Sequence, residues 1–266
     1  MLRELRLGAT ALAMVGLVLG TLSEPAAADG MTKNGGNNGN GAEPTERGVF
    51  FSGFDVVKDS RYFYDGVIVA LNGDMGRDGF FLRGYASYDR FDRNPGDGKQ
   101  YQADVALGYM FSRSKIDFDI YLGVDYQNVR LQHPDDPTAE VRGTEWGFKV
   151  GAGIETEKEL PYYFSLQGNY STAFNSYWAR ARVGLHRDRF TFGPEASVVG
   201  DEDFDAQRVG GFVTFDVNLP QFRPIELTLS AGHQFVAGSN NNNDGNGGGI
   251  GGSSGTYGLV NFSVTF

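Results

Sequence analysis

In YQADVALGYMF (101–111) every second residue is apolar. Tyr101, Ala103, Val105, Leu107, Tyr109 and Phe111 share one face, and Gln102, Asp104, Ala106 and Gly108 share the other. A side-chain period of two belongs to an extended strand with one face in an apolar medium. The pattern returns in 116–127, where Ile116, Phe118, Ile120, Leu122, Val124 and Tyr126 oppose Asp117, Asp119, Tyr121, Gly123, Asp125 and Gln127. In 144–155, Trp146, Phe148, Val150, Ala152 and Ile154 oppose Glu145, Gly147, Lys149, Gly151, Gly153 and Glu155. Segments 80–89 and 226–236 alternate in the same way. No helical periodicity competes with them after residue 48.

Twelve strands are expected: 48–57, 61–72, 79–90, 101–112, 115–129, 141–155, 161–172, 176–187, 189–199, 206–217, 226–237 and 256–266. The first two alternate poorly, so their facing is open. About 9–11 tilted residues cross a bilayer, and most of these segments reach that length. The expected fold is therefore all-β, an antiparallel transmembrane outer-membrane β-barrel of about 12 strands. Even-numbered connections should be tight turns and odd-numbered ones exposed loops, notably 130–140 and 238–255, although 57–61 and 173–175 are short where loops are expected and 72–79 is long. The closing segment TYGLVNFSVTF (256–266) alternates to an aromatic last residue, Phe266. Outer-membrane barrels carry such an end for the barrel-assembly machinery, which adds it as an edge strand.

The first residues read differently. Arg3 and Arg6 precede an apolar run at 8–22, and Ala26 and Ala28 have signal-peptidase spacing. Residues 1–28 are expected to be a signal peptide, with export to the outer membrane of a Gram-negative bacterium. Residues 29–47 are Gly/Asn-rich and carry too little apolar surface to offset chain entropy, so a disordered lead segment is expected. The barrel domain is 48–266.

The net charge of −10 and the absence of cysteine exclude several classes. An acidic chain is unsuited to nucleic acid, and no disulfide framework or thiol site can form. The three histidines are His133 in a loop, His186 at a strand end and His233 on an outward face. None stands at metal spacing, and no outward serine neighbours His233 on the final strand. The loop GDEDFD (200–205) has four carboxylates without a calcium-loop geometry, which reads as a solvated acidic loop. No catalytic residue, metal or cofactor is expected.

Alternation places charges on the inner face: Arg83, Asp104, Asp117, Asp119, Asp125, Glu145, Lys149, Arg180, Arg182, Glu195 and Arg208. An arginine facing lipid at mid-depth costs about 2–4 kcal/mol, so these groups belong in the lumen. The expected polar cluster is Arg83, Asp104, Asp119, Glu145, Lys149, Arg180, Arg182, Glu195 and Arg208. Two roles use the same residue types: a salt-bridged plug, or a polar path contacting a sugar chain.

Several segments together resemble the cellulose biosynthesis protein BcsS family. They are VIVALNGDMGRDGFFLRGYASY (67–88), GVDYQNVRLQHPDDP (123–137), RGTEWGFKVGAG (142–153), YSTAFNSYWARARVG (170–184) and FGPEASVVGDEDFDAQRVGGF (192–212). The resemblance runs from about Phe50 to Phe266 and implies an exported accessory to cellulose production. It supplies no catalytic residues. Cellulose or other cellulose-system subunits are the partners it suggests, beside the outer-membrane lipid and assembly machinery that the strand pattern and the last segment imply. A small-solute or oligosaccharide channel and an outer-membrane lipid or glycan enzyme are the other readings.

Overall fold

The computed structural model describes residues 46–92, 96–137, 139–158, 160–217, 225–237 and 253–266. The signal-peptide reading, nearly all of the lead segment and most of the 238–255 loop lie outside them. Twelve strands form one closed antiparallel barrel. They are β1 (Gly48–Val57), β2 (Ser60–Ala70), β3 (Gly79–Asp92), β4 (Asp97–Arg113), β5 (Ile116–Leu131) and β6 (Gly143–Thr156). The ring continues with β7 (Tyr162–Ser171), β8 (Tyr177–Arg187), β9 (Phe190–Gly200), β10 (Asp205–Val217), β11 (Ile225–Val236) and β12 (Gly255–Thr265). Each strand pairs with its sequence neighbours, and β1 closes on β12 from Val49↔Thr265 to Val57↔Tyr257. Closure removes every sheet edge, as a bilayer requires of strands.

The register confirms the expected faces. Val105, Leu122, Trp146, Phe148 and Val209 point outward and are each more than half exposed. Aromatic pairs mark both ends of this apolar band. Tyr88–Tyr101 and Tyr126–Trp146 lie toward the rim that carries the odd-numbered connections, here the upper rim. Phe80–Tyr109, Phe111–Phe118 and Phe190–Phe215 lie toward the lower rim. Amphipathic rings at two levels around an apolar belt suit the two interfaces of a membrane. His233 packs edge-on against outward Phe235, its ring 4.7 Å away, within the upper girdle.

One local expectation changes, and the open facing of the first two strands is decided. The 91–100 segment is mostly strand: Phe91 pairs with Gly98, Asp92 with Asp97, and Arg90 bonds Asp97 at 3.0 Å, so β3 and β4 extend into the expected loop. In β1, Asp55 faces the lumen, while Phe54 and Val56 face out. In β2, Tyr62 and Tyr64 point inward beside Tyr85, so Asp65 points outward at mid-strand, paired with Ser52 of β1. Asp65 Oδ1 is buried without a hydrogen-bond partner.

The 172–176 connection, unexpectedly short for the upper rim, holds a one-turn 3-10 helix, Ala173–Asn175. Phe174 adopts φ +51°, a backbone state disfavoured for a bulky side chain. It is held there by packing: Phe174 joins Phe91, Val129 and Val141 in a buried apolar cluster, with Leu131 and Phe204 against it. Loops from three connections thus converge to cap the upper rim.

Candidate functional site: the lumen

Two ion-pair networks brace the barrel interior. The first spans β3 to β6. Asp104 receives Arg83 and also Lys149 Nζ at 2.7 Å. Lys149 reaches Asp125 at 3.4 Å, and Asp125 accepts from Gln102 at 3.1 Å and Gln127 at 2.8 Å. Arg83 lies over the rings of Tyr85 and Tyr121, at 4.8 and 4.9 Å. Asp104, Asp125 and Lys149 are at most 3% exposed. They are all but inaccessible to solvent, so the network is dry.

The second spans β8 to β12 and β1. Arg182 Nε donates to Glu195 at 2.8 Å and its Nη2 to Ser230 at 3.0 Å. Ser230 and Tyr257 both donate to Glu195, at 3.1 and 2.8 Å. Arg208 pairs with Asp55 across 153 residues of sequence and donates to Gln234 at 2.8 Å. Each network holds two cations and two carboxylates, so each is neutral. Burial of charge is tolerated when it is paired and hydrogen-bonded in this way.

The nine sequence-predicted residues therefore do not form one cluster. Arg83, Asp104 and Lys149 meet in the first network, and Arg182, Glu195 and Arg208 in the second. Asp119 sits toward the lower rim, accepting from Gly153 N–H, with Oδ2 buried and unbonded. Glu145 stands partly exposed near the upper rim, outside both networks. Arg180 is partly exposed, lies 5.2 Å from the ring centroid of Trp178, and makes no hydrogen bond or ion pair among the described residues. The expected cluster left out Asp55, Asp125, Gln127, Ser230, Gln234 and Tyr257, although alternation had put Asp125, Gln127, Ser230 and Gln234 on the polar face. Asp55 was hidden by the poor alternation of β1. The rule that a lone charge faces the lumen would have found it, but the same rule misplaces Asp65.

The acidic loop 200–205 is a clasp and not a free solvated segment. Asp203 accepts from the backbone N–H groups of Glu140 and Val141, both at 2.9 Å. Asn175 donates to Glu202 at 2.5 Å, and Tyr177 bonds Asp205. Asp201 accepts from Asp203 N–H at 2.9 Å, and burial pushes its carboxyl up to about 6. Gln127 ties the cap to the wall, donating to Ser176 Oγ at 2.7 Å. His186 shares a hydrogen bond with Thr191 at 2.8 Å and meets Tyr163 edge-on. Among the described residues, no three metal-ligating side chains converge.

The model of the family described as cellulose biosynthesis protein BcsS matches residues 49–266, nearly the entire barrel. The chain belongs to the BcsS family. Membership associates this barrel with cellulose biosynthesis. No curated protein matches the chain. Similar solved structures include the KdgM porin, 9% identical over 82% of this chain and 99% of that one, with a TM-score of 0.46. Another is the TodX monoaromatic hydrocarbon channel, as its deltaS2 mutant, at 7% identity, 84% and 91% coverage and 0.49. LpxR from Salmonella typhimurium is 10% identical over 82% and 100% of the chains, at 0.44. At these identities no residue role passes from them to the BcsS-family barrel.

Proposed function

We propose that this BcsS-family protein is a non-enzymatic outer-membrane barrel that assists cellulose biosynthesis, secretion or surface anchoring. Family membership carries the cellulose link. The outward apolar belt between two aromatic girdles supports a bilayer location, and a closed barrel of this kind belongs to Gram-negative outer membranes. The non-enzymatic reading rests on how the reactive side chains are used. Asp55, Asp104, Asp125 and Glu195 are committed with Arg83, Lys149, Arg182 and Arg208 to neutral networks, and the Thr191–His186 pair reads as a cross-strand hydrogen bond between neighbouring strands. The apolar cap and the dry networks favour a braced scaffold over an open pore.

Deletion of the gene under cellulose-producing conditions tests this reading. Cellulose yield or its retention at the surface should fall, and plasmid-borne protein should restore it. Unchanged cellulose would overturn the assignment. Outer-membrane fractionation with heat-modifiable gel migration tests the location.

A second reading, a small-solute or oligosaccharide channel, has one observation in its favour. Arg180, Trp178, Asp117, Asp119 and Tyr121 remain partly exposed to the lumen below the cap. A conducting pathway would need the cap to move, and planar-bilayer recordings decide it.

A further inference from the structure

Among the described residues, Arg180 is the inward arginine without a carboxylate partner. Arg83, Lys149, Arg182 and Arg208 each have a carboxylate partner, whereas Arg180 has only the indole of Trp178. Its two register partners are equally uncommitted. Gln167 on β7 and Ser197 on β9 flank Arg180 directly. Neither makes a side-chain hydrogen bond among the described residues, and both are partly exposed. Three adjacent strands thus present a guanidinium, an amide and a hydroxyl in one row on the inner face, none of them bonded to another side chain among the described residues. Buried polar side chains are ordinarily paired within the protein; these three, partly exposed, keep their donors and acceptors open to the lumen.

We propose that the Gln167–Arg180–Ser197 row, with Trp178, is a subsite for a short segment of a neutral oligosaccharide of the β-glucan type. The sugar identity rests on the cellulose reading above; the site itself does not. A sugar ring offers hydroxyls that both donate and accept. Arg180 supplies donors only, Gln167 supplies both kinds, and Ser197 adds a hydroxyl of either role. Trp178 holds the guanidinium in place, which lowers the ordering cost of binding. Tyr64 lies on β2, diametrically across the ring of twelve strands, within electrostatic range of Arg180. It supplies an aromatic face with a polar tip on the opposite wall. The surrounding carboxylates select against anionic sugars. Glu195 and Asp55 are balanced by Arg182 and Arg208, so the field comes from Glu155, which feels the charge of Arg180, and from Asp117 and Asp119, which line the lower lumen. A polyanion would meet this field on approach from the uncapped side.

The chain carries its own reporter. It has two tryptophans, Trp146 facing outward and Trp178 at the site. In the full-length protein bearing Trp146→Phe, emission therefore reports on Trp178 alone. Titration with cellotetraose should give a saturable change in that emission. A tetrasaccharide with carboxylated sugars should bind at least about tenfold more weakly. Arg180→Gln should weaken cellotetraose binding about tenfold or more, because a charged donor is lost. Gln167→Ala and Ser197→Ala should weaken it less. Arg180 has no ion pair to lose, so Arg180→Gln should retain heat-modifiable migration; if it does not, the Gln167→Ala and Ser197→Ala variants carry the test. Absence of a saturable change, equal binding by Arg180→Gln, or tighter binding of the carboxylated sugar overturns the proposal. Cellotetraose binding in a protein whose deletion leaves cellulose unchanged would keep the site and overturn only the cellulose role.

Discussion

Asp104→Asn is the sharpest probe of whether the lumen is braced or wet. Asp104 is the shared anion of Arg83 and Lys149, and its side chain is inaccessible to solvent. The substitution leaves two cations and one carboxylate, Asp125, in a dry network. Removing one partner of a buried pair costs about 3–5 kcal/mol. Lys149 retains Asp125 at 3.4 Å and Arg83 retains two tyrosine rings, so the lower end, about 3 kcal/mol, applies. For a domain of this size each kcal/mol moves the midpoint by about 2–4 °C, which gives a fall of about 6–12 °C. Urea titration in lipid vesicles, with the folded band read by heat-modifiable migration, measures the free energy. The loss should persist at high salt, because buried charges are weakly screened. Combining Asp104→Leu with Lys149→Met restores a one-to-one balance of Arg83 and Asp125 and should recover more than half of the loss. A solvated pair contributes only about 1 kcal/mol or less. An Asp104→Asn loss below that value would refute the dry network and favour an aqueous path.

Three other outcomes follow from particular residues. The Asp201 carboxyl is raised to about 6 by burial in the capping loop, so the folded cap binds its proton more readily than the unfolded chain. Its stability should therefore rise as pH falls from 7 toward 4; hydrogen exchange of residues 200–205 should slow at pH 5 relative to 7.5, and Asp201→Asn should abolish the difference. Phe174→Ala empties the centre of the apolar cap, where a buried aromatic truncation costs about 3–5 kcal/mol; planar-bilayer recordings should show openings absent from the unmodified protein, and a silent variant would mean the networks alone block the lumen. Asp65→Val replaces a lipid-facing carboxylate at mid-strand and should stabilise the barrel by about 1 kcal/mol in vesicle refolding; a comparable loss would count against the lipid-facing assignment.

The strands were legible because a single apolar face imposes a period of two that survives in the bare sequence. β1 runs over 48–57 as expected, and the other strands end within a few residues of their expected bounds. The inward charges of β4, β5, β6 and β8 followed from the same alternation. Alternation is weak in β1 and β2, where apolar and aromatic residues occupy both faces. There, packing of Phe51, Tyr64 and Tyr85 inside the barrel decides the facing, and no local pattern records it.

By itself, then, the sequence determined that the chain alternates as barrel strands, and that Arg180 and Arg182 share a face turned from lipid. Period two is a local property of the backbone, and each strand carries it alone. Only the tertiary structure decided which of the two arginines is sealed and which is available. Closing β1 on β12 brings Asp55 to Arg208 and Tyr257 to Glu195, completing the network that takes Arg182 and leaves Arg180 without an acid. Alternation says which face a side chain takes. Barrel closure and stagger say which strand it meets across the lumen, and those are properties of the whole ring.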